Sequence, residues 1–207
     1  MNLRIALPKG RIAERALTIF EQICATKIAF SGRKLLCDAG DLQFLLVRNQ
    51  DIPAYVQHQA ADVGIVGLDV LEEQSSQLVR LLDLGFGHCR VVVASPVGIE
   101  LDNTKPMLRI ATKMVNLAKS YFASQAIAVE LIKLYGSIEL APSVGLCDAI
   151  VDIVETGSTL KENALKIDAV ILQSSAYLVA NPNSFYAKRK AILNLRAQLQ
   201  NVIETAR

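Results

Sequence analysis

The sequence predicts an α/β chain of two lobes, each built on a mixed, mostly parallel sheet, with a central cleft between them. Three observations carry that expectation. Apolar runs of strand length alternate with helical patterns along the whole chain, as expected for strands joined by helical crossovers. A glycine-bearing connector, Leu84-Gly85-Phe86-Gly87-His88, coincides with a shift in composition after Asp83. The 207 residues are enough for one large domain or two small lobes.

The elements follow in order. Leu3–Leu7 reads as a buried strand, and Ile12, Ala16, Ile19, Phe20 and Ile23 then fall on one face of a helix. Leu42–Val47 is a second strand. Asp51, with Pro53 two residues later, has the pattern of a helix start: a capping residue first, proline within the first turn. Val63–Val66 is another strand, and Gly67 opens a short helix. Beyond the connector, Arg90–Ser95 is a β-branched strand, followed by loops at 96–98 and 102–106. Leu108–Ala111, Val129–Leu134, Ile150–Val154 and Ala169–Gln173 are further strands. One long polar-faced helix is expected from Ser184 to about Thr205. Lobe I is expected to comprise residues 1–88 and 176–207, and lobe II residues 89–175.

Composition excludes several classes of function. With 22 basic and 20 acidic residues the chain is too balanced for general nucleic-acid binding, so any anion site must be local. Four cysteines without a C-x-x-C pair, and only two histidines, argue against zinc. Such isolated cysteines read as small buried hydrophobes in a reducing compartment. No signal-peptide core and no membrane-length apolar run is visible, so a cytoplasmic protein without membrane attachment is expected. Neither His58 nor His88 is assigned a catalytic role. There is no G-x-x-x-x-G-K-[ST] motif.

The stretch from Glu139 to Leu160 carries the chemistry. Ile150–Val154 is an apolar strand with Asp152 inside it, followed by Thr156-Gly157-Ser158-Thr159 and then a helix. Small residues let backbone N–H groups close around a phosphate, hydroxyls add donors, and a helix start favours an anion. Asp152 at the strand end is placed to accept hydrogen bonds from sugar hydroxyls. From this turn alone a second reading stands: a capped turn without ligand, with Thr156, Ser158 or Thr159 as the cap. Lys9-Gly10-Arg11 follows the first strand, at a carboxyl strand end where α/β sites form. Arg48, Asp69 and Lys113 also lie at or near strand ends. Each can equally be a solvated charge or, for Asp69, a helix cap.

The combination resembles a known family. Glu139, Gly145, Asp152 and Thr156-Gly157-x-Thr159-Leu160 are similar to the signature of ATP phosphoribosyltransferase. Leu7-Pro8-Lys9-Gly10-Arg11, Gly32-Arg33-Lys34-Leu35, Asp51–Val56, Ala60–Leu71 and Ile110–Lys113 resemble further family segments, in family order. Cys147 stands where a smaller residue is usual, and Gln59 where glycine is more common.

The resemblance implies a two-lobed, type II periplasmic-binding-protein-like fold. It also implies Mg²⁺-dependent transfer of phosphoribosyl from phosphoribosyl pyrophosphate (PRPP) to N1 of ATP, the first step of histidine biosynthesis. Pyrophosphate leaves, and the charge on it is the electrostatic problem. Arg11 and Arg33 are expected to be catalytic. Asp148, Asp152, Glu155, Thr156, Gly157, Ser158 and Thr159 are expected to bind PRPP. Lys9, Arg11, Arg48, Asp69 and Lys113 are expected to face ATP. Mg²⁺ is expected to arrive on the substrates' phosphates, with no protein metal site. The chain resembles the short form of the family, which implies a separate regulatory subunit resembling histidyl-tRNA synthetase, in a hetero-octamer. The rival expectation is a two-lobed small-molecule or nucleotide binder without turnover.

Overall fold

The computed structural model describes residues 3–102 and 105–205, so the Asn103–Thr104 part of the expected 102–106 loop lies outside the described residues. The chain divides into two compact units. Unit 1 comprises Met1–Leu71, Ser75–Gly87 and Ser175–Arg207, and unit 2 comprises Glu72–Gln74 and His88–Ser174.

Unit 1 is a six-stranded sheet with helices on both faces. Its strands are β1 (Leu3–Pro8), β2 (Leu36–Ala39), β3 (Leu42–Val47), β4 (Val63–Gly67), β5 (Val79–Asp83) and, from the end of the chain, β11 (Ala176–Ala180), in the order β2-β3-β1-β4-β11-β5. Side-chain alternation decides which face each residue serves. Leu3, Ile5 and Leu7 of β1, Ile65 of β4 and Leu178 of β11 meet Ala16, Ile19 and Phe20 of helix α1 (Arg11–Cys24) and Leu195 and Leu199 of α7 (Arg189–Thr205). Phe20 packs edge-on against Phe44, with ring centroids 4.9 Å apart. Ala6, Val66 and Val179 point the other way, onto Ile52 and Val56 of α2 (Ile52–Gln57) and Val70 and Leu71 of α3 (Leu68–Glu73).

Unit 2 repeats the plan with five strands. These are β6 (Cys89–Pro96), β7 (Leu108–Thr112), β8 (Val129–Lys133), β9 (Ala149–Val154) and β10 (Leu165–Ser174), ordered β10-β6-β9-β7-β8. Val91, Val93, Ile110, Ala149 and Val151 face Ala118 and Phe122 of α4 (Val115–Ser124). Val92, Ala94, Ala111, Ile150 and Val154 form the opposite core with Leu160 of α5 (Ser158–Glu162).

The sheets are mixed, as expected, but parallel pairing does not dominate. Four of the nine strand pairings are parallel: β1 with β3 and β4, and β7 with β8 and β9. The other five are antiparallel. Their origin is topological. The β2–β3 hairpin turns at Gly40-Asp41, β11 returns between β4 and β5, and β6 and β10 are the strands by which the chain enters and leaves unit 2.

The terminal helix also differs from expectation. It is two helices, α6 (Pro182–Ala187) and α7, divided at Lys188. Asn181 caps α6, its Oδ1 accepting from the N–H groups of Asn183 and Ser184 at 2.8 and 3.0 Å, with Pro182 in the first turn. Lys188 donates to Asp62 Oδ2 at 2.7 Å, and the Arg4 N–H donates to the same oxygen at 3.0 Å. That buried carboxylate ties the start of α7 to β1. At α2, Asp51 does hold the N-cap position, yet its side chain makes no capping hydrogen bond; a single 3₁₀ turn, Asn49–Asp51, leads into the helix instead.

Burial alone would raise the Asp62 pKa, but the Arg4 N–H and Lys188 together outweigh it and hold the carboxyl below its ordinary range. A depressed folded-state pKa contributes stability that is present above the ordinary carboxylate value of about 4 and lost as pH falls through the folded value. Asp62→Asn should therefore cost about 1–3 kcal/mol near neutral pH in denaturant titrations. The two chains should converge in acid. A gap that stays constant down to about pH 3 contradicts this assignment.

Candidate active site

Parallel pairing places strand ends together, and in each unit the candidate residues collect at the carboxyl ends of a parallel run. In unit 1 that run is β3-β1-β4. The register pairs Pro8 with Val47, and the Lys9 N–H continues it with a hydrogen bond to the Val47 carbonyl at 3.0 Å. Lys9 and Arg48 therefore leave adjacent strands at the same level. Gly10 turns the chain and Arg11 begins α1. Arg33 joins the same rim. It lies in the turn closed by the Lys34 N–H on the Ser31 carbonyl at 3.1 Å, and the Leu46 N–H bonds the Leu35 carbonyl at 2.9 Å, level with the end of β3. Four cationic side chains, Lys9, Arg11, Arg33 and Arg48, are thus exposed at one end of the sheet.

Asp69 enters this rim from β4. It is only 3% exposed, and it folds back over Gly67: a Cβ at Gly67 would lie 2.2 Å from Asp69 Oδ1. Gly67 is therefore required by a close approach, and any side chain there would expel the carboxylate. Asn49 borders the same spot, its Nδ2 lying 3.7 Å from that Cβ position. Its Oδ1 is buried and has no hydrogen-bond partner. Sequence reasoning missed Asn49, since an asparagine after a strand ordinarily signals only a turn.

In unit 2 the parallel run is β9-β7-β8. Asp152, next to the end of β9, faces Lys113, which directly follows β7, with Nζ 3.2 Å from Oδ1. Ile150, Asp152 and Val154 share one face by strand alternation, so the carboxylate sits on the α5 side. The turn comes next. Gly157 is the residue before α5, with φ 86°, a conformation glycine adopts without strain. Thr156 and Ser158 hydroxyls are 3.1 Å apart, and the Ser158 N–H reaches Thr156 Oγ1 at 3.4 Å. The first bond inside α5 is Lys161 N–H to the Gly157 carbonyl at 3.1 Å, so the N–H groups of Thr159 and Leu160 have no partner within the helix. Glu155, Thr156, Ser158 and Thr159 are all exposed. The arrangement offers hydroxyls and backbone donors to an anion, with the Asp152 carboxylate two residues before the end of β9 and the Lys113 ammonium paired to it.

Two placements depart from expectation. Asp148 does not join this cluster. It precedes β9, at the end of the strand opposite the turn, and a strand of six residues spans about 20 Å. Its carboxylate is already engaged: Oδ2 accepts from the Arg109 N–H at 2.8 Å, and Oδ1 pairs with Lys105 Nζ at 3.1 Å. The Arg109 N–H is the largest influence on this carboxyl; burial opposes it, Lys105 adds to it, and the pKa is held below the ordinary range. The sequence places Asp148 only seven residues before Glu155, but an extended strand turns that proximity into distance. Lys113, expected to face ATP, pairs with Asp152, which was expected to bind PRPP.

Cys147 is buried in the same core as Ile150, and burial raises its thiol pKa, which suits a packing residue. Among the described residues no group of three or more His, Cys, Asp or Glu side chains is arranged to hold a metal ion. No helix among them is long and apolar enough to cross a membrane.

The two units and their sheet topologies define a two-unit α/β protein of the periplasmic-binding-protein type. Solved structures at low identity share the fold. The periplasmic aliphatic sulphonate binding protein SsuA from Escherichia coli aligns over 98% of this chain and 68% of its own, with a TM-score of 0.64 at 12% identity. Closer comparisons narrow the class. The family model described as ATP phosphoribosyltransferase matches residues 48–201. ATP phosphoribosyltransferase from Wolinella succinogenes is 64% identical over 98% of both chains, and that from Helicobacter hepaticus is 56% identical over 98% of this chain and 99% of its own. The ATP phosphoribosyl transferase (HisG:HisZ) complex from Thermotoga maritima contains a chain that superimposes with a TM-score of 0.87 at 37% identity, over 98% and 99% of the two chains. This chain belongs to the ATP phosphoribosyltransferase family, glycosyltransferases of histidine biosynthesis.

The placement of Asp148 generates a prediction. Asp148→Asn should leave PRPP affinity within about twofold in calorimetric titration, equivalent to under half a kcal/mol. It should lower the melting temperature, because Lys105 and the Arg109 N–H lose a charged acceptor. A large loss of PRPP affinity would return Asp148 to the ligand site.

Proposed function

We propose that unit 2 binds the phosphoribosyl end of PRPP and that Lys9, Arg11, Arg33 and Arg48 serve the polyphosphates. The observation that carries this reading is the Lys113–Asp152 pair standing beside the Gly157-initiated turn. In this reading the N–H groups and hydroxyls of Thr156, Gly157, Ser158 and Thr159 hold the 5-phosphate. Asp152 accepts from the ribose hydroxyls, and Lys113, 3.2 Å from its Oδ1, keeps it oriented. Glu155 borders the turn. Asp69 and Asn49 shape the polar end of β4 for the nucleotide.

The chemistry places few demands on acid–base groups. Adenine N1 carries a lone pair at neutral pH, so a strong base is not needed to make it a nucleophile. The bond from N1 forms at C1 of the ribose as the bond to pyrophosphate breaks, with inversion. The barrier lies in bringing two polyanions together and in the charge that grows on the departing pyrophosphate. Preorganised cations lower that barrier because their cost of orientation is met by folding. Arginine suits the task, since its planar fork donates two parallel hydrogen bonds to a phosphate. Arg11 and Arg33 are assigned to the leaving group. Mg²⁺ enters with ATP and PRPP as part of the substrates, being a hard cation that keeps water and phosphate oxygens as ligands.

The HisG:HisZ complex from Thermotoga maritima supports a regulatory partner for this chain too. We assign that partner to the class resembling histidyl-tRNA synthetase, in a hetero-octamer, acting in the cytoplasm where both substrates are made.

Incubation with ATP, PRPP and Mg²⁺, with pyrophosphate release followed in the presence and absence of the regulatory subunit, tests turnover against simple binding. Asp152→Asn and Thr159→Ala should each weaken PRPP binding by about tenfold or more, about 1.4 kcal/mol, in calorimetric titration. Unchanged affinity in both rejects the turn as the PRPP site. Arg11→Ala and Arg33→Ala should slow the chemical step in pre-steady-state turnover more than they weaken ATP binding. A normal rate in either variant removes that arginine from the chemistry.

A further inference from the structure

Thr112 ends β7, directly before Lys113, and its side chain is fully buried at 0% exposure. A lone threonine hydroxyl in an apolar core carries a desolvation cost unless both its donor and its acceptor capacity are used. Here both are. Oγ1 donates to the Val151 carbonyl at 2.7 Å and accepts from the Met114 N–H at 2.8 Å.

The partners of this hydroxyl are specific. Val151 immediately precedes Asp152, and Met114 immediately follows Lys113. Thr112 and Val151 are also the last register partners of the parallel β7–β9 pairing. Beyond them the ladder ends, and the strands are free to diverge where Lys113 and Asp152 must meet. The hydroxyl adds one cross-link at that point. It also closes the start of α4, whose N-cap residue Met114 has no capping side chain of its own. By strand alternation Thr112 lies on the α4 face with Ile110, opposite the face on which Asp152 lies with Ile150. It cannot touch a ligand held there by Asp152.

We propose that Thr112 is a positioning residue for the phosphoribosyl site: its hydroxyl locks the backbone on either side of the Lys113–Asp152 pair and so holds that pair in the geometry that receives the ribose. This rests on the reading of Asp152 and the 156–159 turn as the PRPP site. Valine in place of Thr112 keeps the shape and removes both hydrogen bonds. Serine keeps the hydroxyl and removes only the methyl group.

The test is steady-state kinetics of the chain assembled with its regulatory subunit, with Asp152→Asn and Thr159→Ala run in the same assay. Thr112→Val should raise KM for PRPP by about tenfold while KM for ATP stays within about twofold, and Thr112→Ser should bring KM for PRPP back to within about twofold of the parent chain. A PRPP KM unchanged in Thr112→Val, or a Ser variant as defective as the Val variant, overturns the proposal. If Thr112→Val does not accumulate as folded protein, Thr112→Ala is read against Thr112→Ser in the same way. A chain that folds with neither shows that Thr112 serves only the fold, and this also overturns the proposal. If Asp152→Asn and Thr159→Ala raise the PRPP KM but Thr112→Val does not, Thr112 alone is misassigned. If none of the three raises it, the PRPP site itself lies elsewhere.

Discussion

Parallel register between β7 and β9 is the constraint on which the site depends. Pairing Thr112 with Val151 fixes where the β7–β9 ladder ends, and Lys113 and Asp152 meet because each is the next residue after that last pair. A slip of one residue would turn Asp152 to the opposite face of the sheet, into the apolar packing against α4. A carboxylate there would be desolvated without a partner, which is strongly unfavourable. The buried faces of β7 and β9 therefore specify the register, and the register in turn specifies the charged pair. Core packing and the placement of that charged pair are set by the same alternation of side chains.

Unit 1 uses the same device with different residues. β1 lies between β3 and β4, so the segments leaving all three are neighbours although they are far apart in sequence. Lys9, Arg48 and Asp69 share a rim for that reason. Arg33 reaches it by another route, through the edge hairpin that brings Leu35 level with Leu46. Such a concentration of cations is costly in an apolar core but tolerable at an exposed rim, where water screens their repulsion.

Much of this was legible in the sequence. The mostly apolar runs at Leu3–Leu7, Leu42–Val47 and Ile150–Val154 are strands packed against helices on both faces of their sheets, and such strands need little alternation to be recognised. The edge and antiparallel strands β2, β5 and β11 were not legible. Val79–Asp83 is half-exposed and carries Arg80 and Asp83, so its pattern resembles a loop. The placement of the candidate residues Lys9, Asp152 and Lys113 at or near carboxyl strand ends was legible from the apolar runs that precede them. Placement was not legible where the third dimension intervenes. Asp148 is near the turn in sequence but a strand length away in space, and Thr112 and Asn49 acquire their interest only from the groups they meet in the folded chain.

The most direct measurement is the crystal structure of this chain with PRPP bound. The account predicts the 5-phosphate against the backbone of 156–159, with ribose hydroxyls within about 3 Å of the Asp152 carboxylate. A ribose 5-phosphate seated elsewhere, with that turn empty and the Lys113–Asp152 pair undisturbed, would contradict it.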